Sequence, residues 1–203
     1  MSELNLPGIL EEYADHFEFR RFFLPLGNVK FPKMASSQPY DRLLFIISGE
    51  KVEPMEFEDG IRDVRLCGGD AYLVAKNRGE FQSWLTPHKM LCIIPRPAYL
   101  RVALHDVTRS SGTYDPHWAT ARCHTAKPPG EALLAVFAAL KDRNCSGGDH
   151  VSLLLRAALK LAAMECADAV HEGGKALATF NRICTYVENH FCEAITREEV
   201  ATR

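Results

Sequence analysis

Between Tyr40 and Val107 the chain repeats one pattern: a short apolar run, a turn signal, and another run. Leu43-Leu44-Phe45-Ile46-Ile47 and Leu91-Cys92-Ile93-Ile94 are its most apolar segments. Ser48-Gly49-Glu50, Asp59-Gly60 and Cys67-Gly68-Gly69-Asp70 punctuate the intervals. Runs this short, bounded by residues that turn the chain, read as strands. Leu43–Ile47 reads as a strand buried on both faces and closed by a turn at Gly49. The Asp59-Gly60 pair between Val52–Phe57 and Ile61–Leu66 is a hairpin signal. With Phe17–Leu24, Ala71–Ala75, Phe81–Leu85, Lys89–Ile94 and Tyr99–Val107 there are about eight strands, enough for a small barrel or jelly roll enclosing one small ligand.

The flanks read differently. Ile9, Leu10, Tyr13 and Phe17 share one helical face within Leu4–Phe19, Arg20-Arg21 reads as a solvated strand edge, and Val29–Gln38 reads as loop or frayed strand. Asp115-Pro116 and Pro128-Pro129 break the β pattern after Thr108. Helices are expected over Glu131–Lys141 and from Asp149 to about Glu172. On the second, Ser152, Arg156, Lys160, Glu165, Asp168 and Glu172 trace one polar stripe, and the rest is apolar. A surface helix needs a narrower apolar face than that, so this one needs cover on two sides. The barrel with the preceding helix is expected to supply one cover; the other is expected from a second copy of the chain in a symmetric dimer, the alternative being that all cover is internal. After a flexible joint at His171–Lys175, Phe180, Ile183, Val187 and Phe191 mark a further amphipathic helix. Thr196-Arg197-Glu198-Glu199 is a capping box that opens another.

Composition narrows the function classes. At 203 residues, 47% hydrophobic and 25% charged, the chain has enough apolar material for a full core. A formal charge of −2 gives no basic field for nucleic acid or anionic lipid. Seven cysteines without CxxC spacing read as reduced thiols. The acidic lead (Glu11, Glu12, Asp15) is unlike a signal peptide, and the longest apolar run of the helical part, Ala132–Leu140, is short of a membrane span. The expectation is a cytoplasmic protein with no membrane partner.

Tyr186-Val187-Glu188-Asn189-His190-Phe191, a short gap, and Ile195-Thr196-Arg197-Glu198-Glu199-Val200-Ala201 resemble the opening of the DNA-binding domain of AraC-type (arabinose-regulator-like) transcription factors. Arg42–Glu50 and Gly69–Glu80 look like the two cupin motifs, with Gly49 matching the closing glycine of the first and Gly69-Asp70 the start of the second. The resemblance implies an α+β chain in three parts. Residues 1–127 would be a cupin-like ligand-sensing barrel, 128–175 a helical linker and dimerisation region, and 176–203 the start of a helix-turn-helix domain. It implies a homodimer that meets DNA only through a C-terminal part beyond this sequence. The metal-holding positions of metal-dependent cupins fall on Ser36, Gln38, Arg42 and Glu80; none is the expected ligand and Arg42 repels a cation, so neither metal nor cofactor is expected.

No enzyme motif is present: Gly-x-Ser-x-Gly, P-loop and GxGxxG sequences are absent, and the closeness of His105, Asp106 and Ser110 makes no triad. No catalytic residue is therefore assigned. His117, Cys123 and His124, in a loop with Trp118, match no zinc spacing and read as packing or surface residues. The remaining expectation is a pocket for a small-molecule, sugar-like effector. Tyr72, Trp84 and His88 are its candidates, because aromatic faces stack on rings while their polar tips hydrogen-bond, and Arg42 suits an anionic or hydroxylated group. The alternative is a metal-independent cupin isomerase or epimerase acting on a carbohydrate-like substrate, with His88 or Glu80 as acid or base.

Overall fold

A computed structural model describes residues 5–26, 35–37, 39–77, 79–81, 86–96, 100–107, 115–121, 128–142 and 149–167, with the single positions 183, 196 and 198. The described chain is α+β. Its elements are α1 (Leu6–His16), β1 (Arg21–Phe23), β2 (Ala35–Ser37), β3 (Arg42–Phe57), β4 (Gly60–Cys67), β5 (Asp70–Val74), β6 (Gly79–Phe81), β7 (His88–Pro95), β8 (Leu100–Val107), β9 (Asp115–Ala121) and α2 (Pro128–Lys141). A third helix, α3, spans 149–167. The main sheet runs β1-β5-β3-β7-β8-β9, β4 pairs with the far half of β3, and β2 pairs with β6. Along this path the sheet is open, with β1 and β9 at its edges.

The largest departure from expectation is at Gly49, which is a bend within one strand rather than a turn between two. β3 continues through it for 16 residues, and its register against β7 shifts between Ile46 and Ser48, as a β-bulge requires. Gly49 has φ +78°, and a Cβ there would run into the Pro87 carbonyl and lie 2.7 Å from the His88 Cα. The Glu50 amide donates to the Pro87 carbonyl at 3.3 Å, and the Thr86 hydroxyl donates to the Glu50 carbonyl. The bend keeps Arg42–Ile46 between β5 and β7 while Glu50–Phe57 swings out to pair with β4. Gly49→Ala is expected to destabilise the fold by about 1–3 kcal/mol through backbone strain, plus the collision. Gly60, with φ +121° but open space around its missing Cβ, is the matched control. Urea unfolding should show the smaller loss for Gly60→Ala.

At the β4–β5 turn, the Asp70 carboxylate accepts from the Cys67 amide at 2.7 Å and from Arg21 Nε at 3.0 Å and Nη2 at 2.5 Å. Arg21 also donates to the Arg65 carbonyl at 2.8 Å. Arg21 is on an exposed sheet edge, as expected, and it is also an anchor, because the parallel β1–β5 ladder places it opposite Asp70. β9 is likewise a departure: Asp115–Ala121 pairs antiparallel along β8. Pro116 tolerates this because β9 is an edge strand. His117 and Trp118 therefore sit on a strand backbone, while Cys123 and His124 lie outside the described residues.

The outer face of the sheet and the three helices share one core: Leu43, Phe45, Leu91, Ile93 and Val102 pack with Leu10 of α1, Phe137 of α2, and Leu155 and Leu159 of α3. α1 is capped by the Asn5 side chain, which accepts from the Gly8 amide at 3.2 Å. It buries Leu6, Leu10 and Ala14, a face rotated from the one expected, with Ile9 and Tyr13 at its margin. Phe17 follows the helix and meets Phe45 edge-on at 5.4 Å.

The polar stripe of α3 is only partly solvated: Lys160 is exposed, and Arg156 is half-buried. Arg156 donates to the Ala14, Asp15 and Phe17 carbonyls at 2.8, 3.2 and 2.8 Å, and Lys160 pairs with Asp15 at 2.6 Å. These cations meet the carbonyl end of α1, where unsatisfied acceptors and the helix dipole favour positive charge. Glu165 is buried, and Asp168 and Glu172 lie outside the described residues. Arg156→Met is expected to cost about 1–2 kcal/mol, as charge-assisted bonds to partly buried carbonyls at the end of α1 are lost. Hydrogen exchange should show the last turn of α1 opening first. Much of the apolar surface of α3 is covered within the chain, yet Leu153 and Met164 of α3 and Leu134 of α2 remain exposed.

Candidate functional site

Strand alternation builds the site. In β3, Leu43 and Phe45 face the helices, and Leu44 and Ile46 face the other way. That inner face also carries Tyr72 and Val74 of β5, Met90, Cys92 and Ile94 of β7 and Ala103 of β8, and the β3–β4 hairpin packs on it through Met55, Val64 and Leu66. The bulge between Ile46 and Ser48 changes the parity of β3, so that Lys51 and Glu53 join Met55 on this face. In β8, Arg101 and His105 alternate with Leu100, Val102 and Leu104 and so fall beside Ala103. An apolar floor thus carries a set of buried polar groups: Arg42, Lys51, Glu53, His88, Arg101 and His105.

One end is a hydrogen-bonded chain. Lys51 Nζ lies 2.9 Å from Glu53 Oε2 and donates to the Tyr72 hydroxyl at 3.1 Å. That hydroxyl in turn reaches Met90 Sδ at 3.8 Å. The Lys51 side chain is 0% exposed, so the cation is sustained by its neighbours rather than by water. His88 Nδ1 is 2.7 Å from the Thr86 carbonyl, which fixes the proton on Nδ1 in the neutral ring. Burial holds the His88 pKa below its usual value; the Thr86 bond opposes this and Lys51 adds to it. Burial pushes His105 down to about 3, helped by Lys51, Arg101 and His88. Both imidazoles are neutral at physiological pH.

The other end gathers arginines. Arg42 pairs in register with Val74, and Ile94 pairs with Arg101. Continuing the β3–β7 register brings Ile94 beside Arg42 and Arg96 beside Tyr40. The Arg96 guanidinium lies 5.1 Å from the Tyr40 ring centroid, and Tyr40 packs against the inner-face cluster.

Of the four residues expected to form a pocket, Arg42, Tyr72 and His88 lie on the inner face, Arg42 towards the opposite end from His88; Trp84 lies outside the described residues. Ser36 and Glu80, counted from the two glycines, face one another in the β2–β6 ladder, and Gln38 lies outside the described residues. Sequence reasoning did not assign Lys51, Glu53, Arg96, Arg101 or His105 to the site. The signal for Arg101 and His105 was their alternation with apolar neighbours. None existed for Lys51 and Glu53, because their direction depends on the bulge. Among the described residues no group of three or more His, Cys, Asp and Glu converges as a metal centre would require, and none of the helices is long and apolar enough to cross a membrane. Cys166 is buried among the helices, and burial with nearby Glu165 raises its thiol to about 12.

Compared with models of protein families and with curated proteins, the chain matches none.

Proposed function

We propose that residues 1–203 are the effector-sensing and dimerising portion of a cytoplasmic transcription regulator of the AraC type. The observation that carries this reading is the inner face, where apolar residues between the sheet and the β3–β4 hairpin surround Arg42, Tyr72, His88 and the Lys51–Glu53 pair. Such a mixture binds and orients a small molecule. In this reading the sheet closes as a cupin-like jelly roll, and α2 and α3 form the linker through which two copies associate by Leu134, Leu153 and Met164. An effector acts only through different affinities for two arrangements of barrel and helices.

The test is a fusion of residues 1–203 to a DNA-binding domain that represses only as a dimer. Repression that responds to a small molecule, and is lost in Leu153→Glu/Met164→Glu while the melting temperature holds, is expected. A monomeric fusion that never represses overturns the reading. The residues 1–203 alone should give no sequence-specific gel shift, and a specific shift would contradict the assignment of DNA contact to a later part. The isomerase or epimerase reading draws on His88, whose neutral ring has Nδ1 committed to Thr86 and leaves Nε2 as the basic atom. Carbohydrate turnover abolished by His88→Asn would favour it.

A further inference from the structure

One side of α3 is apolar and open to solvent. Leu153 and Met164 are 65% and 51% exposed, and Ala157 and Leu161 between them are half-buried. Steps of four, four and three residues keep these four on one side of the helix. An apolar stripe of that length in water marks an interaction surface. The chain itself contains a matching pattern. Phe180, Ile183, Val187 and Phe191 recur at steps of three, four and four, the same series reversed. Set antiparallel, Phe180 falls opposite Met164, Ile183 opposite Leu161, Val187 opposite Ala157 and Phe191 opposite Leu153. All four pairs are centred on Glu172, and Gly173-Gly174 come next, so the reversal falls where the chain turns most readily. Ile183 is helical and half-buried; Phe180, Val187 and Phe191 lie outside the described residues.

From this mirror match we propose that the exposed stripe of α3 is the docking site of the chain's own segment 180–191, laid antiparallel on it as a helical hairpin that turns at 171–175. Tethering decides the occupant. A segment joined to α3 through residues 168–179 alone is held at an effective concentration on the order of millimolar, well above that of a second copy at micromolar concentration. The consequence rests on the dimer reading, which assigns Leu153 and Met164 to a second copy. Two occupants of one stripe exclude each other, so copies pair only where the segment has left, and Leu134 of α2 adds contact that the segment does not make. Undocking is a local event, and the sheet and its helices keep their own core when it happens.

Disulfide trapping in residues 1–203 at micromolar concentration tests this. Oxidised Ala157→Cys/Val187→Cys should yield a linked pair of peptides carrying positions 157 and 187, identified by mass after proteolysis so that the native cysteines do not confuse it. Mixing isotopically light and heavy chains should leave each linked pair wholly light or wholly heavy, as a link within one chain requires. Ala157→Cys/Asn189→Cys, with position 189 on the far side of a helix from Val187, should link at least about fivefold less. Val187→Glu/Phe191→Glu should leave the melting temperature of the core unchanged and lower the dimer dissociation constant about tenfold, read by sedimentation. Equal linking at 187 and 189, no link, or an unchanged dissociation constant overturns the proposal. Mixed light and heavy pairs alone make a second copy the occupant and also overturn it. If the link forms within one chain and no dimer is seen at any concentration, the hairpin stands and the dimer reading fails. If copies pair through Leu153 and Met164 with no link inside a chain, the hairpin fails and the dimer reading survives.

Discussion

Replacing Glu53 by alanine is expected to destabilise the protein by about 3–5 kcal/mol, because it leaves an ammonium deep in a low-dielectric interior without its carboxylate. Lys51 is 0% exposed and Glu53 3% at the side chain. Water therefore cannot take the place of the missing carboxylate unless the β3–β4 hairpin lifts from the sheet. The Tyr72 hydroxyl at 3.1 Å from Lys51 Nζ offers an acceptor but no charge. The double substitution Lys51→Met/Glu53→Leu removes both charges from the same volume. It should lie within about 1 kcal/mol of wild type or be more stable, since the pair itself gains little over well-packed apolar groups. Urea unfolding of both single variants and the double closes the cycle, with an expected coupling above about 2 kcal/mol. A single-variant loss under about 1 kcal/mol would show that the pair is hydrated, and the buried polar chain would have to be abandoned.

Lowering the pH from 6.5 to 3 is expected to remove on the order of 4 kcal/mol of stability through His105 alone. Its folded pKa of about 3 lies below the unfolded value near 6.5. The unfolded chain takes up the proton throughout that interval and the folded chain does not. The contribution is therefore fully present above pH 6.5, falls as the pH drops, and is exhausted near pH 3. His88, lowered by the same burial, acts in the same direction. A small domain is stabilised by only about 5–15 kcal/mol, so a loss of this size is a large part of the total and adds to that from the carboxylates as the pH approaches 3. Stability against pH for wild type and His105→Asn checks this: the variant should have the flatter acid limb, whatever its stability at neutral pH. Equal slopes between pH 6 and 4 would mean that His105 is protonated in the folded protein.

The strands that carry Arg42, Tyr72 and His88 were legible from their apolar runs, whereas the face each residue would take was not, because one residue of register exchanges the two faces. The helices were legible from their periodicity, though not which side of α3 would be covered. Arg156 and Lys160 look like a solvent stripe in one dimension, and they become the capping partners of α1 only when the chain end near residue 15 is brought beside them. Arg21 is similar: its role exists only opposite Asp70, 49 residues away. A local pattern records which residues share a face, and it cannot record which distant group that face will meet.

By itself the sequence determined the alternation of apolar strands between Tyr40 and Val107, the hairpin at Asp59-Gly60, and the helical character of the flank. These follow from short-range sterics and from the period of buried side chains. Only the tertiary structure decided that the chain continues through Gly49 as one strand, with a bulge just before it between Ile46 and Ser48. From that bulge follow the inward turn of Lys51 and Glu53 and the polar end of the inner face. A shift of one residue exchanges the two faces of a strand, and whether it occurs is set by the partner strand β7 rather than by β3 itself.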